Sequence, residues 1–452
     1  MPQPIEGAET PYQRFIAWLE QVSLYGRKNG LDNMRSLMSR CQNPQDSIPI
    51  IHVAGTNGKG SCCAMLHRIL REAGRRTGLY ISPHLLDYRE RIRIDDELIS
   101  EEDFVGIGLA IRGKIQEMTA RGENHATFFE ILTAMAYSYF VQKHVDIAVI
   151  ETGVGGRLDA TNVVKKPVLT MITSISLDHT RVLGHDLTSI AGEKAGIIKE
   201  GVPLVLSANP SCVQEVMRGV CRQKGCEFIY AGEGAARVLR DDLAGQTLDV
   251  ETPRFTYTNL RVSLCGDYQA ENTATVLEAA QVLSRKLPIT EPVIRRALQK
   301  VQWPGRMELA SVQNRRILLD GAHNEDGARQ LGRYIETHLL GQPLTLVFGA
   351  LQKKDCEGIL YHLTRSGSMK KILYTPIADE ACMTAAEFHD LVRRLDLRVP
   401  TEITGRADQA MARACQADHF IICAGSLYLV GEVKRWILSQ QYACLRYFLV
   451  KA

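Results

Sequence analysis

The sequence predicts an α/β protein: a mostly parallel, doubly wound sheet covered by helices, followed by a smaller second α/β unit. Three observations predict it. Short runs rich in Ile and Val alternate with longer stretches of helical period, a glycine-rich turn joins the first run to an amphipathic helix, and Trp303-Pro304-Gly305 precedes a fresh series of alternating runs. The length of 452 residues, at ~150 residues per domain, allows two or three cores.

In chain order the candidate strands are Ile48-to-Ala54, Thr77-to-Ile81, Asp146-to-Glu151, Val168-to-Ser174, Val202-to-Ser207 and Cys226-to-Ala231, with helices over Lys59-to-Ala73, Thr127-to-His144 and Cys212-to-Lys224 between them. From Asp241 to Leu264 polar and apolar residues alternate around Gly245 and Pro253, which predicts a hairpin. Helices near Tyr268-to-Arg285 and Glu291-to-Val301 close this part. Pro and Gly after Trp303 stop a helix, so the boundary falls near residue 302, giving domains 1-302 and 303-452. The second series holds strands Arg316-to-Leu319, Leu344-to-Gly349, Lys371-to-Thr375 and Phe420-to-Ala424, with helices that include Asp326-to-Leu339 and Leu427-to-Leu438.

Composition narrows the function. With 54 Lys+Arg against 51 Asp+Glu the net charge is +3, which excludes a basic nucleic-acid arm or an acidic disordered tail, so no nucleic-acid partner is expected. No apolar run approaches the roughly 18 residues of a membrane span, so no membrane partner is expected either. The first ten residues lack the basic and apolar regions of a signal peptide, and a cytoplasmic location is the expectation. The 12 cysteines show no C-x-x-C pair and no zinc spacing, which predicts reduced, mostly buried thiols.

The sharpest local signal is Gly55-Thr56-Asn57-Gly58-Lys59-Gly60-Ser61, between a strand and an amphipathic helix. Glycines let backbone N–H groups turn toward phosphate oxygens, the helix start adds positive charge, Lys59 reaches the terminal phosphates and Ser61 offers a hydroxyl to Mg²⁺. The spacing departs from G-x-x-x-x-G-K-[ST], because Gly60 stands between Lys59 and Ser61, and it does not match a dinucleotide fingerprint. Glu151 ends a strand, where parallel sheets present their sites. On residue grounds alone it is either a metal ligand or a rim carboxylate. The glycine-rich segment 152 to 162 suits a loop over a ligand. His179, after the strand ending at Ser174, is either a ligand or a hydrogen-bonded structural residue. Arg89, Arg91 and Arg93 alternate, as on one face of a strand within Ser82-to-Ile94, an anionic-substrate face or a charged edge.

Eight motifs stand in order: HVAGTNGKGS (52 to 61), SPHLLDYRERIRI (82 to 94), ETGVGGRLDATN (151 to 162), LDHTRVLGHDLTSIAGEKAGIIK (177 to 199), NTAT (272 to 275), WPGRME (303 to 308), LDGAHN (319 to 324) and AGSLYLVGEV (424 to 433). In these the chain resembles the folate branch of the Mur ligase family, dihydrofolate synthase and folylpolyglutamate synthase. The resemblance implies an N-terminal P-loop ATPase domain and a smaller Rossmann-like C-terminal domain, the Mur ligase architecture. It implies that Gly58, Lys59, Gly60 and Ser61 hold ATP phosphates, with Asn272, Arg306 and Asp320 on the nucleotide and His323 nearby. Ser82, Glu151 and His179 match magnesium positions, two sites being expected, and Lys194 matches a lysine carried as a carbamate, where the residues alone suggest a surface helix lysine. Lys59, His179 and Lys194 are thereby the catalytic candidates. Thr127, Phe128, Phe129 and Glu130, with Leu158, Asp159 and Ala160, match a pterin-side pocket, and Gly30 and Leu31 align with another substrate segment. One of Phe128 and Phe129 is expected in the core, since they open an apolar helix stripe. The sequence departs from the family at Gln352-Lys353-Lys354-Asp355 and at Arg181, both on the amino-acid side.

The activity so implied is ATP-dependent addition of L-glutamate to dihydropteroate and to reduced folates through an acyl phosphate, by a monomer. The alternatives are a monofunctional enzyme of either kind, another Mur-type amino-acid ligase, or a nucleotide-binding module without turnover.

Overall fold

The computed structural model describes residues 10–22, 30–232, 234–352, 354–379 and 381–451, with side chains to 441. The described chain forms two compact units: Met1–Arg237, Leu248–Arg261 and Ala270–Val301 in the first, and Val238–Thr247, Val262–Gln269 and Gln302–Ala452 in the second.

The first unit is built on eight strands: β1 (Ile50–Ala54), β2 (Thr77–Tyr80), β3 (Ile92–Ile94), β4 (Glu97–Leu98), β5 (Ile147–Glu151), β6 (Leu169–Ile172), β7 (Leu204–Leu206) and β8 (Phe228–Tyr230). Their order is β4-β3-β2-β5-β1-β6-β7-β8. From β2 to β8 every pairing is parallel, and only β3 and β4 run antiparallel at one edge. Every residue of β1 and β5 is buried, as a central strand covered on both faces requires. One core lies under helices Pro11–Val22, Glu101–Ala120 and Phe128–Gln142, with Phe104, Tyr137 and Phe140 at its centre; another gathers Ile172, Leu204, Ile190 and Met217.

Helix starts follow local chemistry. Ser100 accepts from Asp103 N, Asp186 accepts from Ser189 N, and Thr127 forms a reciprocal capping box with Glu130.

The segment expected as a hairpin forms one from β10 (Gly245–Thr252) and β11 (Phe255–Val262), and an unexpected strand, β9 (Ala236–Asp242), extends it to a three-stranded sheet in the order β11-β10-β9. The extra strand is mostly half-exposed, so it lacks the apolar run by which a strand is read. Ser82 to Ile94 is not one strand: residues Tyr88–Arg91 form a 3₁₀ turn, and only Ile92–Ile94 is extended. Asp87 and Glu90 make a capping box, and Glu90 also accepts from Leu85 N and Leu86 N. These bonds curl the segment, so Arg89, Arg91 and Arg93 share no strand face.

The second unit holds β12 (Glu308–Val312), β13 (Arg315–Leu319), β14 (Leu344–Phe348), β15 (Met369–Tyr374), β16 (Thr401–Ile403) and β17 (Phe420–Ala424), in the order β12-β13-β17-β14-β15-β16. Only β12 with β13 is antiparallel. The cysteines whose side chains are described are free thiols. Among the described residues no helix is long and apolar enough to cross a membrane.

Backbone-to-backbone packing fixes the loop after β5 against helix Leu187–Ala195. A Cβ on Gly156 would sit 2.8 Å from the Lys194 carbonyl oxygen, and one on Gly196 would collide with the Arg157 backbone. Gly196→Ala is expected to lower unfolding free energy by about 1–3 kcal/mol. Gly192→Ala, in the same helix with open space around it, should leave stability unchanged or raise it by up to about 1 kcal/mol. Chemical denaturation of both variants checks the pair.

Candidate active site

The turn after β1 is held from outside by β6 and its continuation. Thr56 N donates to Ser174 O (2.8 Å), Thr56 Oγ1 to Ser176 O (3.1 Å) and Thr173 Oγ1 to Asn57 O (2.7 Å). Gly55 packs so closely on Thr173 that a Cβ there would overlap its hydroxyl. Gly58, at φ +83°, opens helix Lys59–Glu72 without a side-chain cap, so the helix start presents backbone N–H groups to the turn. A side chain at Gly58 would also strike the Asn272 amide. Ser61 is buried in the first helical turn.

Glu151 ends β5 directly beside Val53 of β1. Its carboxylate is buried, accepts from Ser82 N at 3.2 Å and lies 3.9 Å from Lys59 Nζ, which itself donates to Thr56 O at 3.1 Å. Lys194 is not a surface lysine. It is 3% exposed and its Nζ donates to Gly55 O at 2.6 Å. Burial, and secondarily the nearby Lys59 charge, push its amine down to about 7. Lys59, Ser82, Glu151 and Lys194 thus converge on the turn. His179 stands at φ +50°, with its side chain 43% exposed and Nε2 3.9 Å from Asp178 Oδ2. Among the described residues no three His, Cys, Asp or Glu side chains gather at metal-binding distance. The buried Glu151 carboxylate and the Ser82 hydroxyl are nonetheless hard oxygen donors, which suit Mg²⁺ shared with phosphates.

On the pterin side, Thr127 and Glu130 are engaged with each other: Thr127 N donates to Glu130 Oε2 (2.7 Å) and Glu130 N to Thr127 Oγ1 (3.3 Å). Phe129 packs on Tyr80 at 6.0 Å and against Gly153, where a Cβ would lie 2.7 Å from its ring. Phe128 is half-buried under the Arg91 guanidinium at 5.4 Å. Both rings pack against the core from its edge. Leu158 is 37% exposed, Asp159 is buried, and Ala160 opens a 3₁₀ turn that packs against helix Asp32–Arg40. Leu31 caps that helix and Gly30 precedes it at φ +61°.

Arg306, Asp320 and His323 belong to the second unit. The Asp320 carboxylate is buried and accepts from Met307 N and Ala322 N, both at 2.8 Å; burial raises its carboxyl above the usual range. A side chain at Gly321 would strike the Arg306 guanidinium, and the ring of His323 is turned back on Gly321 O at 2.8 Å. Asn272 lies in the first unit, on helix Asp267–Ser284.

The residues that sequence reasoning missed are the anchors Thr173, Ser174 and Ser176. Their signal is a run of hydroxyls at the C-terminal end of an apolar parallel strand.

Such a turn on a parallel sheet, with a lysine at the helix start and a buried carboxylate beside it, defines a phosphate-loop nucleotide-binding protein. A model of the Mur ligase middle domain matches residues 53–280, and one of the dihydrofolate synthetase C-terminal domain matches residues 305–436. The dihydrofolate synthase/folylpolyglutamate synthase of Bacillus subtilis (strain 168) is 36% identical over 438 residues, covering 94% of this chain and 99% of its own. Among solved structures, Mycobacterium tuberculosis folylpolyglutamate synthase complexed with ADP matches with a TM-score of 0.85 at 29% identity, over 94% of this chain and 99% of that one. An FPGS–AMPPCP–folate complex matches with a TM-score of 0.81 at 32% identity, over the same shares. The chain belongs to the dihydrofolate synthase/folylpolyglutamate synthase family of Mur ligases, which are ATP-dependent.

Gly58→Ala adds a left-handed backbone strain of about 1–3 kcal/mol to a collision with Asn272. Calorimetric titration with an ATP analogue should show binding weakened by about 5- to 100-fold. Unchanged affinity would remove Gly58 from the phosphate site.

Proposed function

We propose that this chain joins L-glutamate to dihydropteroate, forming dihydrofolate, and to reduced folates, forming folylpolyglutamates. The observation that supports it most is the convergence of Lys59, Glu151, Ser82 and Lys194 on one phosphate-type turn, in a chain alike over nearly its full length to an enzyme named for both reactions.

A carboxylate is a poor electrophile, since no amine displaces oxide from it at neutral pH. The substrate carboxylate oxygen therefore attacks the γ-phosphorus of ATP, forming an O–P bond as the bond to ADP breaks. The glutamate amine then attacks the acyl carbon, the C–O bond to phosphate breaks, and the amine proton passes to solvent. Products are an amide, ADP and phosphate. Such transfer is positioning and charge stabilisation rather than covalent catalysis. In this reading Gly58, Lys59, Gly60 and Ser61 hold the phosphates, Arg306 offsets their charge, Asn272 contacts the nucleotide and Asp320 lies near the ribose. Magnesium supplies neutralisation of phosphate charge when bound; Ser82 and Glu151 would hold it, with His179 and a carbamylated Lys194 completing the set. Gly30, Leu31, Phe128, Phe129 and Leu158 line the pterin side. The first unit is the ATP-binding domain and the second its C-terminal partner, in a cytoplasmic monomer.

The test is ADP release with ATP, Mg²⁺ and L-glutamate, offering dihydropteroate and tetrahydrofolate in separate reactions. Both should support it. Activity with one alone assigns a monofunctional enzyme, and activity with neither overturns the reading. Lys59→Ala should keep its thermal unfolding profile while ADP release falls by about 10²–10³.

An amine held near 7 is substantially neutral at physiological pH, and the neutral form is the one that adds CO₂. Its lone pair forms the N–C bond and one proton leaves, giving an anionic carbamate. Wild-type enzyme in ¹³C-bicarbonate should show a carbamate carbon signal that Lys194→Ala lacks, and CO₂-stripped enzyme should lose ADP release until bicarbonate returns. No signal, with full activity in stripped buffer, removes the carbamate.

A further inference from the structure

Behind the loop that follows Glu151 lies a file of buried side chains. His52, on β1, is fully buried, with Nε2 2.8 Å from Thr161 Oγ1. Thr161 Oγ1 is 2.5 Å from Asp159 Oδ1, which also accepts from Thr161 N at 3.0 Å. The other carboxylate oxygen accepts from Gly153 N (3.0 Å) and Val154 N (2.9 Å), and Tyr137 Oη donates to the Thr161 carbonyl at 2.9 Å.

The chemistry of these atoms assigns each proton. Four donors on two oxygens match an ionised carboxylate, which only accepts. The single Thr161 hydroxyl proton therefore goes to Asp159, and the Thr161 lone pair receives Nε2–H from His52. That leaves His52 Nδ1 as an acceptor with no partner among the described residues. Burial pushes the imidazole down to about 3, so it stays neutral across the physiological range.

We propose that His52 and Thr161 are positioning residues for the ligation: through Asp159 they fix the Gly153–Val154 backbone, and with it the wall that meets Phe129 on the pterin side. The grip on ATP is independent, since Thr173, Ser174, Ser176 and Lys194 hold the phosphate turn without this file. The substrate named here rests on the folate-ligase reading.

Thr161→Val deletes the hydroxyl at nearly constant shape, and Thr161→Ser keeps it. In Thr161→Val the KM for dihydropteroate should rise about tenfold or more, as expected for a lost bond to a charged group, while the KM for ATP stays put. Thr161→Ser should restore it. Amide exchange over residues 152–157, measured without substrates, should quicken by a similar factor in the valine variant alone. His52→Leu is read by the same two measurements and stands in where Thr161→Val does not fold. Unchanged exchange and KM in the valine variant overturn the proposal, as do both KM values rising together or the serine variant behaving like valine. Because exchange needs no turnover, wild-type protein inert toward every folate would sink the ligase reading while leaving the relay measurable.

Discussion

Four successive carbonyls leaving β1 each accept a hydrogen bond from Thr173 or a lysine, and the rest of the site depends on this. Ala54 O accepts from Thr173 N, Asn57 O from Thr173 Oγ1, Gly55 O from Lys194 Nζ and Thr56 O from Lys59 Nζ. A turn whose carbonyls are drawn outward offers its helix end as a donor surface for an anion. The same bonds consume the polar groups that burial would otherwise leave unsatisfied. They also place two lysines in one desolvated space. Burial, and then the Lys59 charge, disfavour charge on Lys194, in a space that also holds the buried Glu151 carboxylate.

The carboxylate end of this arrangement is tied to the amine end by backbone contact. Arg157 N donates to Glu193 O at 2.7 Å, and Asn162 Nδ2 donates to both Arg157 O and Gly196 O at 3.1 Å. Glycines at 156 and 196 let the loop and the helix approach that closely. The loop after Glu151 and the helix bearing Lys194 therefore pack as one body.

Much of this was legible in the sequence because glycines and hydroxyls punctuate a parallel sheet. The Gly55–Ser61 turn, the strand ending in Glu151 and the second α/β series each carry a local signal. Other features are decided by tertiary contact and have none. Lys194 sits on a short helix whose own residues give no sign of which face is buried; the crossing of Gly156 and Gly196 decides it. The strand Ala236–Asp242 is half-exposed along its length, and the bend at Tyr88–Arg91 arises because Glu90 accepts three backbone N–H groups, from Leu85, Leu86 and Asp87. Thr127 and Glu130 show the reverse case. Their T-x-x-E spacing is a capping-box signature, so a structural task was visible at positions that resemblance assigned to substrate.

That last case bears on how such pockets work. A side chain engaged by its own backbone is fixed in place before any ligand arrives, and binding then costs less ordering. Thr127 and Glu130 hold the start of the helix that presents Phe128 and Phe129, and Phe129 in turn lies against Gly153. Nothing larger than glycine fits there, so ring, loop and cap determine one another. The two buried bases differ for the same reason. His52 meets a hydroxyl and stays neutral as a donor, whereas Lys194 meets a carbonyl and another cation, and burial brings its amine to the point where a small change in surroundings alters its charge. One base is suited to holding a shape and the other to changing its chemistry.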